Sequence, residues 1–215
     1  RNEKLFATGS DDGYIRIFDF KLRKNPSGIK IATSFDEDNV TKFSEGDGSV
    51  KSIHFHHQNN FLCSTYGLGN ARIWNVNDSE MILKVPIPTN FIRNSKYNCR
   101  FCRFIVTSDG DFLLTAYSPA RGRLPSFLVK WQLKLSENGD KFMGTSLIEV
   151  GRLRVSEFVI TALNSTYEHT LVGVGDAEGK VIVVDTENMK KQKVFKKHNM
   201  PITNISFEIS LHSDF

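Results

Sequence analysis

The sequence predicts an all-β fold of repeated antiparallel units, and two observations predict it. The first is the stretch Leu5–Asp19. Leu5–Thr8 is a short apolar run in which the small residues Ala7 and Gly9 permit close packing. Ser10, Asp11, Asp12 and Gly13 follow, and Asp-Gly between two apolar runs signals a hairpin because glycine accepts the positive φ of the turn. Tyr14–Phe20 then alternates, with Ile15 and Ile17 on one face and Tyr14, Phe18 and Phe20 on the other. A strand apolar on both faces is expected to be covered on both, as the middle of a sheet packed between two others.

The second observation is recurrence. Ile73-Trp74-Asn75, Lys130-Trp131-Gln132 and Val183-Val184-Asp185 repeat the position of Ile17-Phe18-Asp19 at steps of 56, 57 and 53 residues. Each follows a short apolar strand and a glycine-containing turn: Phe61–Thr65 with Gly67 and Gly69, Phe112–Ala116 with Gly122, and Leu171–Val174 with Gly179. Such a repeated strand–turn–strand unit resembles a WD-repeat β-propeller of the seven-bladed type. Its period exceeds the usual ~40–45 residues, so insertions are expected. An antiparallel sandwich is the other architecture these hairpins allow.

The units divide the chain at about 5–48, 49–92, 93–154 and 155–198, with the first strand of a further blade in 199–215. Only about four blades are therefore expected, in a partial propeller. The chain starts inside a hairpin, with Arg1 in place of an initiator methionine, so it reads as a piece of a longer protein. In the first unit, Ile29–Phe35 fits an outer strand, and the rest of Lys21–Gly48 reads as surface loop. In the second, Val50–Phe55 opens the blade and Met81–Ile87 closes it, with Pro86 and Pro88 tolerated on a solvent-facing edge. In the third, Tyr97–Val106 opens, Phe112–Leu133 forms the hairpin around a long basic loop, and Phe142–Val150 closes. Val159–Leu163, Leu171–Val174, Lys180–Asp185 and Gln192–Lys197 make the fourth, and Ile202–Phe207 starts the next.

Composition narrows the function classes. A net charge of +4, with both signs interspersed, argues against a dedicated nucleic-acid binder. Cys63, Cys99 and Cys102 are too few, and odd in number, for a disulfide framework, which favours a reducing compartment. No apolar run approaches the ~20 residues of a membrane helix.

Motifs that imitate chemical sites have plainer readings. Gly173–Lys180 looks like a phosphate loop, but Val174 and Val181 stand where glycine and Ser/Thr are required, and a strand follows. It reads as a hairpin turn, and no cofactor is implied. Cys99 and Cys102 have zinc-like spacing without a second pair, and a regular strand puts their sulfurs on opposite faces. Two of His54, His56 and His57 could share a strand face, yet no carboxylate or cysteine suggests itself as a companion, so no metal is expected. No Gly-x-Ser-x-Gly nucleophile motif occurs, and no catalytic residue is assigned. Lys190, Lys191, Lys193, Lys196 and Lys197 read as charges that blunt an exposed sheet edge. Trp74 and Trp131 read as packing residues of their blades.

Several stretches are similar to one family. Phe6–Phe18, Tyr97–Phe104 with its Cys-Arg-Phe-Cys-Arg-Phe, Arg121-x-Arg-x-Pro125 leading to Leu128-x-x-Trp131, Gly173-x-Gly175 followed by Gly179-x-Val-x-Val183, and Lys197-His198 before Ile202-Thr203 resemble, in order and spacing, the prolactin regulatory element-binding protein family. These are endoplasmic-reticulum exchange factors for the Sar-type GTPase of COPII coats. The resemblance departs at Phe18, where the family often has Trp, and at Asn25–Gly48, which has no counterpart. It implies guanine nucleotide exchange without covalent chemistry, a Sar-type GTPase as partner, and a propeller on the cytosolic side of the endoplasmic-reticulum membrane. The family's exchange loop and membrane anchor fall outside Arg1–Phe215. Arg121, Arg123, Lys196, Lys197 and His198 are the candidate partner contacts. A WD-repeat scaffold for another protein and a DNA-binding transcriptional regulator stand as the other readings.

Overall fold

A computed structural model describes residues 5–24, 30–35, 41–43, 48–57, 60–67, 69–88, 96–134 and 146–208. Their strands fall into four separate four-stranded antiparallel sheets. The first holds β1 (Leu5–Gly9), β2 (Ile15–Lys24), β3 (Lys30–Phe35) and β4 (Thr41–Phe43). The second runs β5 (Val50–Phe55), β6 (Phe61–Tyr66), β7 (Ala71–Asn75), β8 (Glu80–Val85). The third runs β9 (Tyr97–Thr107), β10 (Gly110–Pro119), β11 (Ser126–Lys134), β12 (Ser146–Ser156). The fourth runs β13 (Ile160–Ser165), β14 (Leu171–Asp176), β15 (Lys180–Asp185), β16 (Lys190–Lys196). Sequence order is spatial order in the last three sheets, as in propeller blades. No helix among the described residues is long and apolar enough to cross a membrane.

Three apolar layers join the sheets. Ile15 and Ile17 meet Val50, Leu62, Tyr66 and Trp74. Cys63, Ile73 and Val85 meet Tyr97, Cys102, Phe104, Leu113 and Trp131. Phe112, Leu114 and Leu128 meet Ile160, Val172, Val174 and Ile182. Successive strand residues point to opposite faces, so Leu62 and Cys63, or Leu113 and Leu114, serve different interfaces. The two tryptophans are buried as expected, each with its indole N–H donated within the sheet: Trp74 Nε1 to Ser64 Oγ at 2.8 Å and Trp131 Nε1 to Thr115 Oγ1 at 2.7 Å. A buried indole needs that acceptor, and a hydroxyl on the neighbouring strand supplies it.

Four expectations are corrected. The first hairpin is covered on one face: Ile15 and Ile17 are buried, whereas Phe6 and Tyr14 are exposed and Phe18 stacks on Phe6 at 4.7 Å. Among the described residues a neighbouring sheet flanks it on the Ile15 side alone. The loop after β3 holds β4, which pairs with the first half of β2 while β3 pairs with the second. Ile202–Phe207 forms no strand, because it joins no ladder; it lies against the fourth sheet through Ile202 N–H to Asp176 O and Asn164 Nδ2 to Ile205 O. Lastly, Cys99 and Cys102 lie in one apolar layer. The register of β9 against β10 shifts at Ala116/Tyr117, leaving Arg100 as an extra residue, and a bulge resets the alternation. Burial pushes the Cys99 thiol well up, which keeps it protonated and inert. Part of the expected outer strand 142–150 lies outside the described residues; β12 begins at Ser146.

Candidate partner-binding face

The β1–β2 turn of the first sheet and the turns between second and third strands of the other three lie at the same end, and each is tied to the start of the segment that follows its sheet. Val50 N–H donates to Ser10 O at 3.0 Å, Cys99 N–H to Gly69 O at 2.9 Å, Ile160 N–H to Ser118 Oγ at 2.9 Å, and Ile202 N–H to Asp176 O at 3.1 Å. Ser10–Gly13, Tyr66–Asn70, Ser118–Ser126, Asp176–Gly179 and Lys196–Pro201 therefore share one rim. The recurrence has a simple cause: the chain leaving each sheet next passes beside that sheet's turn, and an N–H near the start of the following segment needs an acceptor.

On this rim the turn Ser118–Ser126 differs from its neighbours. Its base is clamped from both sides. On one side Ala120 N–H donates to Lys96 O at 2.9 Å, just before the blade, and the buried hydroxyl of Tyr97, the first residue of β9, donates to Pro125 O at 2.9 Å. Ser126 Oγ, 3.0 Å from Ser118 Oγ, reaches Phe158 O at 2.7 Å in the connection after the blade. Pro119 and Pro125 are buried, while Ala120, Arg121, Gly122 and Arg123 are exposed. Among the described residues, Arg121 and Arg123 enter no ion pair. Two guanidinium groups thus project from a rigid collar.

The neighbouring turn on the fourth sheet is compact. Asp176, fully buried, accepts Ser156 Oγ at 2.6 Å through one carboxylate oxygen and the N–H groups of Glu178 and Lys180 through the other. Lys180 Nζ lies over the Phe158 ring at 5.0 Å, which connects this turn to the collar of the basic loop. Glu178 receives both Lys180 and Lys196 at 3.7 Å. Lys196, at the end of β16, and Lys197 and His198, on the connection that follows, are exposed. The five candidate residues consequently lie on one rim, Arg121 and Arg123 on one blade and Lys196, Lys197 and His198 on the next. On the first sheet the rim is acidic but paired: Asp11 meets Lys51 at 3.3 Å and Asp12 meets Arg16 at 2.7 Å, which holds the Asp12 carboxyl well below the usual range. The Gly173–Lys180 stretch is a β14–β15 hairpin, as its residues imply.

The opposite rim holds a grouping that sequence reasoning missed. His54 and His56 do not act as a pair. His54 Nδ1 accepts the Phe104 N–H at 3.2 Å, and β5 ends at Phe55 so that His56 and His57 turn together, ring centroids 4.1 Å apart. Their companion carboxylate is Asp111, on the adjacent sheet, 2.9 Å from His56 Nε2. Asp111 directly precedes Phe112 as Asn60 precedes Phe61, so the repeat itself placed it at this rim.

Comparison with known proteins agrees with this architecture. The WD domain, G-beta repeat family matches residues 1–19 and 37–75. Over 207 residues, 94% of the chain, the sequence is 26% identical to SEC12-like protein 2 of Arabidopsis thaliana, of which it spans 43%. Among solved structures it is similar to the β-propeller domain of Cps50 (Swd1) from Myceliophteria thermophila, with a TM-score of 0.59 at 14% identity, covering 94% of this chain and 55% of that one. At such identity the likeness concerns the fold alone. The chain carries WD40 repeats in a β-propeller fold, and spans about half the length of the proteins it matches.

Proposed function

We propose that this chain is part of a guanine nucleotide exchange factor for a Sar-type small GTPase, acting on the cytosolic face of the endoplasmic-reticulum membrane at the start of COPII coat assembly. The observation that carries the reading is the match to a SEC12-like protein along 94% of the chain, the same span in which the family motifs occur in order. The clamped loop supports it physically. Arginine binds carboxylates in bidentate fashion and is enriched at protein interfaces, and a loop held at its base loses little entropy on docking. Such a factor makes no covalent bond: it holds the nucleotide-free GTPase and so speeds GDP release. In this reading Arg121 and Arg123 steer the encounter, with Lys196, Lys197 and His198 beside them.

Stopped-flow measurement of GTPase association and GDP release tests the proposal. Arg121→Glu combined with Arg123→Glu slows association, more at low salt than at high, because rim charges act chiefly on the on-rate. Unchanged association at low salt, with the variant folded, removes these arginines from the interface. If the folded protein binds no Sar-type GTPase at all, the WD40 repeats favour the second reading, a scaffold for another protein.

A further inference from the structure

We propose that His56, His57 and Asp111 form a binding site for a divalent transition metal of the zinc class, bridging the second and third blades at the rim opposite the basic loop. One ligand atom from each residue lies within 4.8 Å of the other two. Two imidazoles and a carboxylate are a donor set that suits zinc with one position left open. The site draws on both sheets: His56 and His57 follow β5, and Asp111 is the second residue of β10.

The geometry is already close to a coordinated one. His56 Nε2 and Asp111 Oδ2 are 2.9 Å apart. Two ligands at about 2.0–2.1 Å from a tetrahedral zinc stand roughly 3.3–3.4 Å apart, so a metal takes the place of the shared proton after an opening of about half an ångström. The buried His56 ring is held edge-on by Phe104 at 5.1 Å and Phe61 at 5.9 Å, which sets the direction of its nitrogen. His57 is half-buried on a turn rather than in a ladder, and side-chain rotation closes the remaining distance. Beside the histidines lies a cavity of about 400 Å³, lined also by Phe6, Phe104, Val106 and His169. It leaves space for the water or exogenous ligand of the open position. A metal here clips two blades together away from the partner-binding rim, so this site and the exchange reading stand or fall separately.

A purely structural role for the trio is the competing explanation, and the choice of variants separates the two. Asp111→Asn retains a hydrogen-bond partner for His56 but gives up the anionic ligand, and His57→Gln alters a half-buried turn residue. The probe is Co²⁺ added to the metal-stripped protein, followed by its visible d–d absorption and displaced by Zn²⁺. The expected result is one equivalent of cobalt with the intense bands of four-coordination, displaced by zinc, and affinity weakened about 100-fold or more in either variant, beyond the 10–100-fold typical of outer-shell changes. Melting curves without metal stay close to wild type for both variants. The proposal is overturned by a pale six-coordinate spectrum in the wild type, or by bands that persist at the same affinity in both variants. A charge-transfer band from thiolate also overturns it, since that assigns the metal to Cys63, Cys99 or Cys102 instead.

Discussion

Two turns on the same rim, Asp176–Gly179 and Ser118–Ser126, do opposite things around a glycine of the same positive φ. Gly179 and Gly122 both have positive φ, +82° and +80°. A Cβ on Gly179 would sit 2.3 Å from His198 O and 2.8 Å from Met200 O, whereas a Cβ on Gly122 would meet nothing within 4 Å. The first turn is wedged under the following connection and stiffens the junction between blades. The second is fixed at its base and then leaves the protein. A propeller rim can therefore be built from closed turns that hold the ring and an occasional open one that is available to a partner. The closed turns spend their polar groups internally, as Asp176 does with Ser156, Glu178 and Lys180. The open one keeps Arg121 and Arg123 exposed and, among the described residues, outside any ion pair.

If stability resides beneath the open loop rather than in it, the largest loss comes from its supporting hairpin. Trp131→Ala removes a buried ring and the N–H that Thr115 Oγ1 accepts, leaving that hydroxyl its donated bond to Val129 O alone. The expected cost is about 3–5 kcal/mol, seen as a lower denaturation midpoint. Partner association per folded molecule stays unchanged. An unaltered midpoint with lost binding would make Trp131 an interface residue and reverse the assignment.

Gly179→Ala comes next and tests the closed turn. The left-handed φ costs about 1–2 kcal/mol for an L residue, and overlap with two backbone carbonyls adds about 1–3 kcal/mol. Less the roughly 0.4–1 kcal/mol by which alanine lowers the entropy of the unfolded chain, a net loss of about 1–4.6 kcal/mol is expected in chemical denaturation. Hydrogen exchange should rise first at the Ile202 amide, whose acceptor is Asp176 O in the same turn. Exchange that rises uniformly instead would show that the turn is not a local lock.

How far the sequence foretold this comparison depends on whether a bond recurs. The fold was legible because Ile17-Phe18, Ile73-Trp74, Lys130-Trp131 and Val183-Val184 repeat one strand position, and the shared rim followed from that repeat. The collar of the basic loop was only partly legible. Arg121, Arg123 and the two prolines stand out locally, but Tyr97, Ser126 and Phe158 come from different strands and connections. His56 and Asp111 are 55 residues apart and meet in one place only. Alternation along β5 even pointed to the wrong partner, His54, since it assumed a strand that ends one residue earlier. Cys99 and Cys102 failed for the same reason: one bulged residue, Arg100, inverts the parity on which the expectation stood.

The smallest effect is the most diagnostic. Gly122→Ala carries the same φ penalty of about 1–2 kcal/mol, without steric overlap because nothing lies within 4 Å of the added methyl. Part of that penalty is recovered, since alanine lowers the entropy of the unfolded chain by about 0.4–1 kcal/mol relative to glycine. The net change expected in denaturation is about 0–1.6 kcal/mol, below that of Gly179→Ala, which adds steric overlap at nearly the same φ. Both arginines remain, so the salt-dependent on-rate for the partner is retained. A different alanine-induced loop shape would show instead as faster dissociation, because shape acts on the bound state and charge on the encounter. Equal destabilisation by the two glycine substitutions would mean that the open loop is packed as tightly as the closed one. It would then no longer be the part of the rim free to meet a partner.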